Sequence, residues 1–317
     1  MSQRPLVSVV TPFFNESEGV DYFYKEIFKS LDNLTSYDFE LVCVDDGSKD
    51  NTLEKLISIS ERDPRVIVIE LSRNFGKEAA LSAGIDYAKG SCVIPIDADL
   101  QDPPELIGKM LSKWKEGSEV VLAKRVDRST DSYAKRTSAL LFYRIHNALS
   151  NLKIPENVGD FRLMDRLVVD ALKQLPERQR FMKGLFAWLG FKTATIEYVR
   201  EPRAAGTSKF TGWKLWNFAI EGITSFSLVP LKVWTYIGAV GSLFALCYAS
   251  FIIIRTWLFG VDVPGYASLL VVTLFFGGLQ LISLGVIGEY IGRIYFESKQ
   301  RPLYLIRKLH SKKHDTH

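Results

Sequence analysis

The chain has 317 residues, a formal charge of +4 and an apolar share of 47%, enough for one globular domain of ordinary size with further elements to spare. No nucleic-acid motif accompanies that modest charge, so nucleic acid is not expected as a partner. The three cysteines, Cys43, Cys92 and Cys247, are far apart and lack metal-ligand spacing, which favours core packing in a reducing compartment over a thiolate site.

From the amino terminus, Leu6 to Val10, Leu41 to Val44, Val66 to Leu71 and Cys92 to Ile96 are short apolar, largely β-branched runs that read as buried strands. Val20 to Leu31, Thr52 to Arg62, Lys77 to Lys89 and Pro104 to Glu116 read as the helices between and after them, the last opened by a proline pair suited to a first helical turn. A fifth strand is expected over Val120 to Ala123. Alternation of this kind predicts an α/β domain with a doubly wound, mostly parallel sheet, which collects ligands at the carboxyl ends of its strands. Each of the first four strands ends in a polar cluster: Thr11 to Glu16, Asp45 to Asp50, Ser72 to Lys77 and Asp97 to Asp102. All four clusters are expected on one rim.

Further along, Phe210, Trp213, Trp216, Ile220 and Ile223 recur at helical spacing beside polar Lys214, Asn217, Glu221 and Thr224, the pattern of an amphipathic helix lying in a membrane interface. Val233 to Ile254 then carries no charge across about 22 positions, and Val263 to Gly288 none across about 26, each long enough to cross a bilayer. Lys209, Lys214 and Lys232 precede the first span; Arg293, Lys299, Arg301, Arg307, Lys308, Lys312 and Lys313 follow the second. Positive flanks face the cytoplasm, so the chain is expected as a multi-pass protein of the inner (plasma) membrane with both termini cytoplasmic. No cleavable signal is read at the amino terminus, because Pro5 to Phe14 is too short and wrongly flanked. The expected divisions are a catalytic domain over 1–208, a juxtamembrane region over 209–231, a two-helix hairpin over 232–292 and a basic cytoplasmic tail over 293–317, mobile after Arg307, where it touches anionic lipid. A homo-oligomer is compatible with this plan, though no pattern specifies one.

The chemistry concentrates in Asp97-Ala98-Asp99, on a turn beyond an apolar strand and ahead of Leu100-Gln101-Asp102-Pro103-Pro104. Two carboxylates there can divide labour, one facing a nucleotide sugar and the other a hard divalent cation bridging diphosphate oxygens, with Gln101 adding a neutral oxygen. Alone the triplet is weak, because turns and caps use aspartate freely. Asp45-Asp46-Gly47-Ser48 also follows a buried strand, where a carboxylate can accept from a nucleobase or ribose hydroxyl or simply cap a turn. Lys124, Arg125, Arg128, Lys135 and Arg136 form a basic stretch suited to an acceptor phosphate.

Taken in order, Val9-Val10-Thr11-Pro12-Phe13-Phe14-Asn15-Glu16, Val44-Asp45-Asp46-Gly47-Ser48, Ser72-Arg73-Asn74-Phe75-Gly76-Lys77 and Asp97 to Pro104 resemble the inverting GT-A-fold glycosyltransferases that act on polyprenyl phosphates, the bactoprenol glucosyltransferase and dolichol-phosphate mannose synthase type. The resemblance covers nearly the whole chain. It implies that Pro12, Asn15, Glu16 and Asp46, with Asp97, hold the nucleotide sugar, that Asp97, Asp99 and Gln101 hold Mg2+ or Mn2+, and that Arg73 to Lys77 shape the rim. Arg203 to Lys209 resembles the family's mobile loop, in which Arg203 and Lys209 close over the donor diphosphate; the same two cations equally suit a membrane surface. Gly159-Asp160-Phe161-Arg162-Leu163 resembles a segment near the reacting centre. There Asp160 orients the acceptor or acts as a base, and a phosphate bearing about 1.5 to 2 negative charges needs no base.

The implied reaction is inverting transfer of a hexose, with UDP-glucose as first choice and GDP-mannose or another sugar nucleotide as alternatives, to undecaprenyl phosphate. A processive polysaccharide synthase is disfavoured, because Gln179-Arg180-Phe181-Met182 does not match the required Gln-x-x-Arg-Trp and two spans cannot enclose a polymer. The intact acidic cluster argues against a noncatalytic nucleotide-binding scaffold.

Overall fold

The computed structural model describes residues 4–126, 158–175, 177, 182–199, 229–260 and 265–312. The apolar runs form strands: β1 (Leu6–Phe13), β2 (Asp38–Asp45), β3 (Val66–Leu71), β4 (Cys92–Pro95) and β5 (Val120–Arg125). Between them lie α1 (Val20–Leu31), α2 (Thr52–Arg62), α3 (Lys77–Tyr87) and α4 (Leu106–Lys115). β6 (Val158–Asp165), α5 (Arg166–Lys173), α6 (Met182–Trp188) and β7 (Thr193–Tyr198) complete the domain's described elements up to residue 199, and α7 (Val229–Phe259), α8 (Tyr266–Ser298) and β8 (Ile306–His310) follow.

These strands make one eight-stranded sheet in the order β7-β5-β6-β4-β1-β2-β3-β8. β4, β1, β2 and β3 are parallel, whereas β6 runs antiparallel between β4 and β5, and β8 runs antiparallel on the β3 edge. The mostly parallel α/β expectation holds, and the connections reverse direction at β1 and β4. The crevice beyond the carboxyl ends of those two strands is the topological switch point of such a sheet.

Apolar side chains alternate to both faces. Val7, Val9, Leu41 and Cys43 pack with α1, α2 and α4, while Val10, Val42, Val44 and Ile69 pack with α3, α5 and α6. α3 ends two residues before the expected Lys89, because the chain leaves the helix to let Lys89 N–H donate to Glu40 (2.6 Å) and Gly90 N–H donate to Ser8 Oγ (2.7 Å). α4 starts two residues after Pro104, the proline carbonyls accepting from Leu106 and Ile107. Cys43 and Cys92 are buried as expected, and burial pushes both thiols well up from their ordinary range. Cys247, by contrast, is exposed on α7 and packs in no core.

The carboxyl end departs from the expected loose tail. α8 continues to Ser298, and Ile306–His310 adds a strand to β3. Ile306, Leu309 and Tyr304 pack on the α3-side core, Tyr304 Oη donates to Asp86 (2.7 Å), and Glu70 meets both Arg307 (3.3 Å) and His310 (3.1 Å). Two apolar residues in a charged pentapeptide suit an edge strand, half covered and half wet. Among the described residues one segment, Phe275–Ser298 in α8, is long and apolar enough by composition to cross a membrane. The expected interfacial helix over 210–226 lies outside the described residues.

α3 lies close on the sheet because Gly84 carries no side chain; a Cβ there would sit 2.3 Å from Val10 Cγ1 and 3.1 Å from Val44 Cγ2. Gly84→Ala is therefore expected to destabilise the domain by about 1–3 kcal/mol through overpacking, read as a lower denaturant midpoint for the purified protein.

Candidate active site

At the rim, the β1 and β2 loops clasp one another. Asn15 takes the left-handed conformation (φ 53); its N–H donates to Ser48 Oγ (3.0 Å) and its Oδ1 accepts from Lys49 N–H (2.8 Å). Glu16 N–H donates to Thr52 Oγ1 (2.9 Å). Pro12 sits within β1, half-buried. Pro12, Asn15 and Glu16 thus lie at the carboxyl end of β1, and the Asn15 side-chain oxygen is engaged in holding loops together.

Asp46 is similarly committed. Only 3% exposed, its carboxylate accepts from Phe75 N–H (2.7 Å) and Gly76 N–H (3.0 Å), anchoring the loop between β3 and α3. Gly47 makes the approach possible, since at φ 68 a Cβ would lie 2.6 Å from the backbone of Arg73 and Asn74. Burial raises the Asp46 pKa, the two N–H groups oppose that, and the neighbouring Asp45 charge adds to it.

Asp45 is the residue whose valence is left over. At 1% exposure, one oxygen accepts from Ser48 N–H (3.1 Å) and the other, Oδ1, has no partner among the described residues. Thr11 Oγ1 is buried and unpartnered in the same sense. Desolvation raises the Asp45 pKa, Ser48 opposes it and Glu70 reinforces it. The motif reading assigns the nucleoside to Asp46; the orphaned buried acceptor on its neighbour Asp45 is visible only in three dimensions.

The Asp97–Asp102 turn lies beyond β4 in the switch-point crevice. Leu100 is left-handed (φ 48), Leu100 N–H donates to the Asp97 carbonyl (3.3 Å), and Gln101 N–H donates to Asp99 Oδ1 (3.3 Å). Asp102, nearly buried, accepts from Tyr198 Oη on β7, which pins the far side of the turn. Among the described residues no three or more His, Cys, Asp or Glu side chains converge as a metal cage.

Asp160 arrives from β6. Antiparallel pairing sets Cys92 against Asp165 and Val93 against Met164, and continuing that register past the end of β4 sets Asp160 opposite Asp97. Arg162, buried, holds this stretch: its guanidinium donates to the Gly159 carbonyl (2.6 Å) and lies 3.9 Å from the Phe186 ring centroid. Between the two aspartates stands Lys77, whose Nζ is 2.8 Å from Asp97 Oδ1, 2.9 Å from Asp97 Oδ2 and 3.0 Å from Asp160 Oδ2. Desolvation works against the ammonium, but the Asp160 and Asp97 carboxylates outweigh it and hold Lys77 well above the ordinary lysine value. Sequence reasoning gave Lys77 only a place on the rim, and gave Arg162 and Tyr198 no role.

β5 runs parallel to β4, so Lys124 and Arg125 at its carboxyl end share the rim. Lys124 already faces Glu197 (3.4 Å) in an exposed pair. Arg128, Lys135, Arg136, Arg203 and Lys209 lie outside the described residues.

Residues 8–173, carrying all four motifs, match the glycosyl transferase family 2 domain. The chain belongs to that family. The glycosyltransferase is 55% identical over 303 residues to a Synechocystis protein described as an uncharacterized glycosyltransferase, covering 96% of this chain and 95% of that one. It is 53% identical over 303 residues to an Escherichia coli K12 protein described as a prophage bactoprenol glucosyl transferase homolog, with 96% and 99% covered. Among solved structures, a Pyrobaculum calidifontis mannosyltransferase in complex with GDP-Man and Mn2+ matches at 18% identity and TM-score 0.49 over 95% of this chain and 86% of that one.

Removing the Asp46 carboxylate strands the backbone donors of the half-buried Phe75 and Gly76. Asp46→Ala is expected to cost about 1–3 kcal/mol, measured by chemical denaturation, and to speed hydrogen exchange at Phe75 and Gly76.

Proposed function

We propose that this glycosyltransferase moves glucose from UDP-glucose to undecaprenyl phosphate, inverting the anomeric centre, at the cytoplasmic face of the membrane. The observation that carries this reading is the 53% identity, over nearly the full length of both chains, to the protein described as a bactoprenol glucosyl transferase homolog. The meeting of Asp97 and Asp160 at the switch point supports it, because it puts the donor-side and acceptor-side carboxylates of one displacement within reach of one nitrogen.

In the proposed step a lipid-phosphate oxygen forms the bond to the anomeric carbon as the bond to the UDP oxygen breaks, and UDP leaves with the electron pair. An α-linked donor gives a β-linked product. The acceptor arrives with about 1.5 to 2 negative charges, so Asp160 orients rather than deprotonates. Asp45 Oδ1 and Thr11 Oγ1, buried beside β1 and β2 and lacking protein partners among the described residues, are assigned to the nucleoside. Asn15, Glu16 and Asp46 build the loops around it, with Pro12 in the β1 wall. Lys124, Arg125, Lys135 and Arg136 remain the assigned cations for the acceptor phosphate, and Arg203 and Lys209 for the donor diphosphate.

Asp97, Asp99 and Gln101 would hold Mg2+ or Mn2+. Their hard oxygens fit such an ion, which takes one or two protein carboxylates and completes its shell with substrate phosphates rather than with an all-protein cage. When bound, the ion neutralises charge developing on the leaving diphosphate. Asp99→Asn is expected to lower turnover roughly a hundred- to thousandfold while the circular dichroism spectrum stays that of the wild type. Offering the purified protein a panel of sugar nucleotides with undecaprenyl phosphate, and weighing the lipid product, tests donor and acceptor together. A glucosyl lipid phosphate made from UDP-glucose is expected; a product only from another donor would replace the sugar assignment, and no lipid product would reject the function.

The proposed layout keeps the catalytic domain through 208, a juxtamembrane region over 209–231 and a membrane hairpin over 232–292. Three observations support two crossings. α7 has 31 residues and α8 has 33, about 46 and 50 Å at 1.5 Å per residue, against a hydrocarbon core of about 30 Å. Both helices expose large apolar side chains, Leu243, Phe244 and Phe251 on one and Leu269 and Leu281 on the other, each more than half exposed, which lipid accepts and water does not. β8 pairs with β3, so the chain beyond α8 lies on the catalytic domain's side, and only an even number of crossings returns it there. A cysteine at Asp262, in a variant with the native cysteines replaced, is expected to react with an impermeant maleimide added to intact spheroplasts; one at Lys312 is expected to react only after lysis.

A further inference from the structure

Lys77 is not a loose surface lysine. It opens α3 directly after Gly76, and the two residues before it are fixed through their N–H groups by the buried Asp46 carboxylate. An ammonium has three donors, and here they reach three carboxylate oxygens: both of Asp97 and one of Asp160. Both oxygens that Asp97 has to offer a divalent cation therefore already face a cation the chain itself supplies. An ion ligated by Asp97 at about 2.1 Å would stand within about 5 Å of the ammonium, with a doubly charged and a singly charged centre sharing one carboxylate.

Resting on the metal role assigned above, we propose that Lys77 is a resident cation that competes with the divalent ion for Asp97, so that the ion binds well only together with the donor's diphosphate. The diphosphate supplies the negative charge that lets two cations stay close, and its absence leaves Asp97 to Lys77. Bare metal then enters poorly, and metal and nucleotide strengthen one another's binding. Such coupling is reciprocal by linkage.

The test titrates Mn2+ alone, and Mn2+ with UDP, into the purified full-length protein in detergent, following the free-ion signal by electron paramagnetic resonance. Lys77→Met and Lys77→Gln remove the competing charge; Lys77→Arg keeps it. Without nucleotide, both neutral variants are expected to bind Mn2+ about tenfold more tightly than the wild type, the scale of ordinary coupling between adjacent sites, and Lys77→Arg to stay near the wild type. UDP is expected to tighten Mn2+ binding strongly in the wild type and only weakly in the neutral variants. Equal or weaker Mn2+ binding by folded Lys77→Met and Lys77→Gln, with UDP still promoting Mn2+ binding to the wild type, overturns the competition alone. A wild type that binds no Mn2+ even with UDP overturns the metal assignment and the competition with it.

Discussion

The rim of this enzyme depends on one carboxylate committed to the backbone of a neighbouring loop. Asp46 accepts two backbone N–H groups from the loop after β3, and that loop delivers Lys77 to the point where β4 and β6 each present an aspartate. A buried carboxylate with two good donors is a stiff joint, because leaving either donor unmatched costs far more than a neutral contact returns. Gly47 belongs to the same joint, since any side chain there would meet the backbone of Arg73 and Asn74. Two consecutive aspartates thus separate by environment: one braces protein against protein, while its neighbour retains an acceptor oxygen with no protein partner among the described residues.

The second constraint is the strand that runs against the others. Were the sheet wholly parallel, β5 would lie beside β4 and the residue opposite Asp97 would come from another carboxyl-end loop. Antiparallel β6 instead enters the crevice with its amino-terminal residues, placing Asp160 across from Asp97 by strand register, a more exact placement than a loop gives. Arg162, stacked on Phe186 and bonded to the Gly159 carbonyl, keeps that entry from fraying.

How far the sequence foretold this follows from the range of the forces involved. β1 to β5 and α1 to α4 were legible because apolar periodicity and local turn chemistry set them; Val20–Leu31, Thr52–Arg62 and Val66–Leu71 coincide with the expected bounds. The acidic turn was legible as the polar end of an apolar strand. β8 was not, because Ile306 and Leu309 are its only aliphatic side chains and its partner strand is remote in sequence. Asp45 and Asp46 read alike in the chain, and only burial and partners tell them apart. Lys77 looked like one more rim cation because its two aspartates are 20 and 83 positions away.

The late arrival of β8 bears on how the protein is made. Glu70 and His310 are 240 positions apart, so until α7 and α8 have been synthesised the outer border of β3 stands open with its amides and carbonyls unmatched. An open border of that kind recruits stray strands from other nascent chains. Completion of the sheet thereby waits on the two long helices: a chain that stops before residue 306 never receives its last strand.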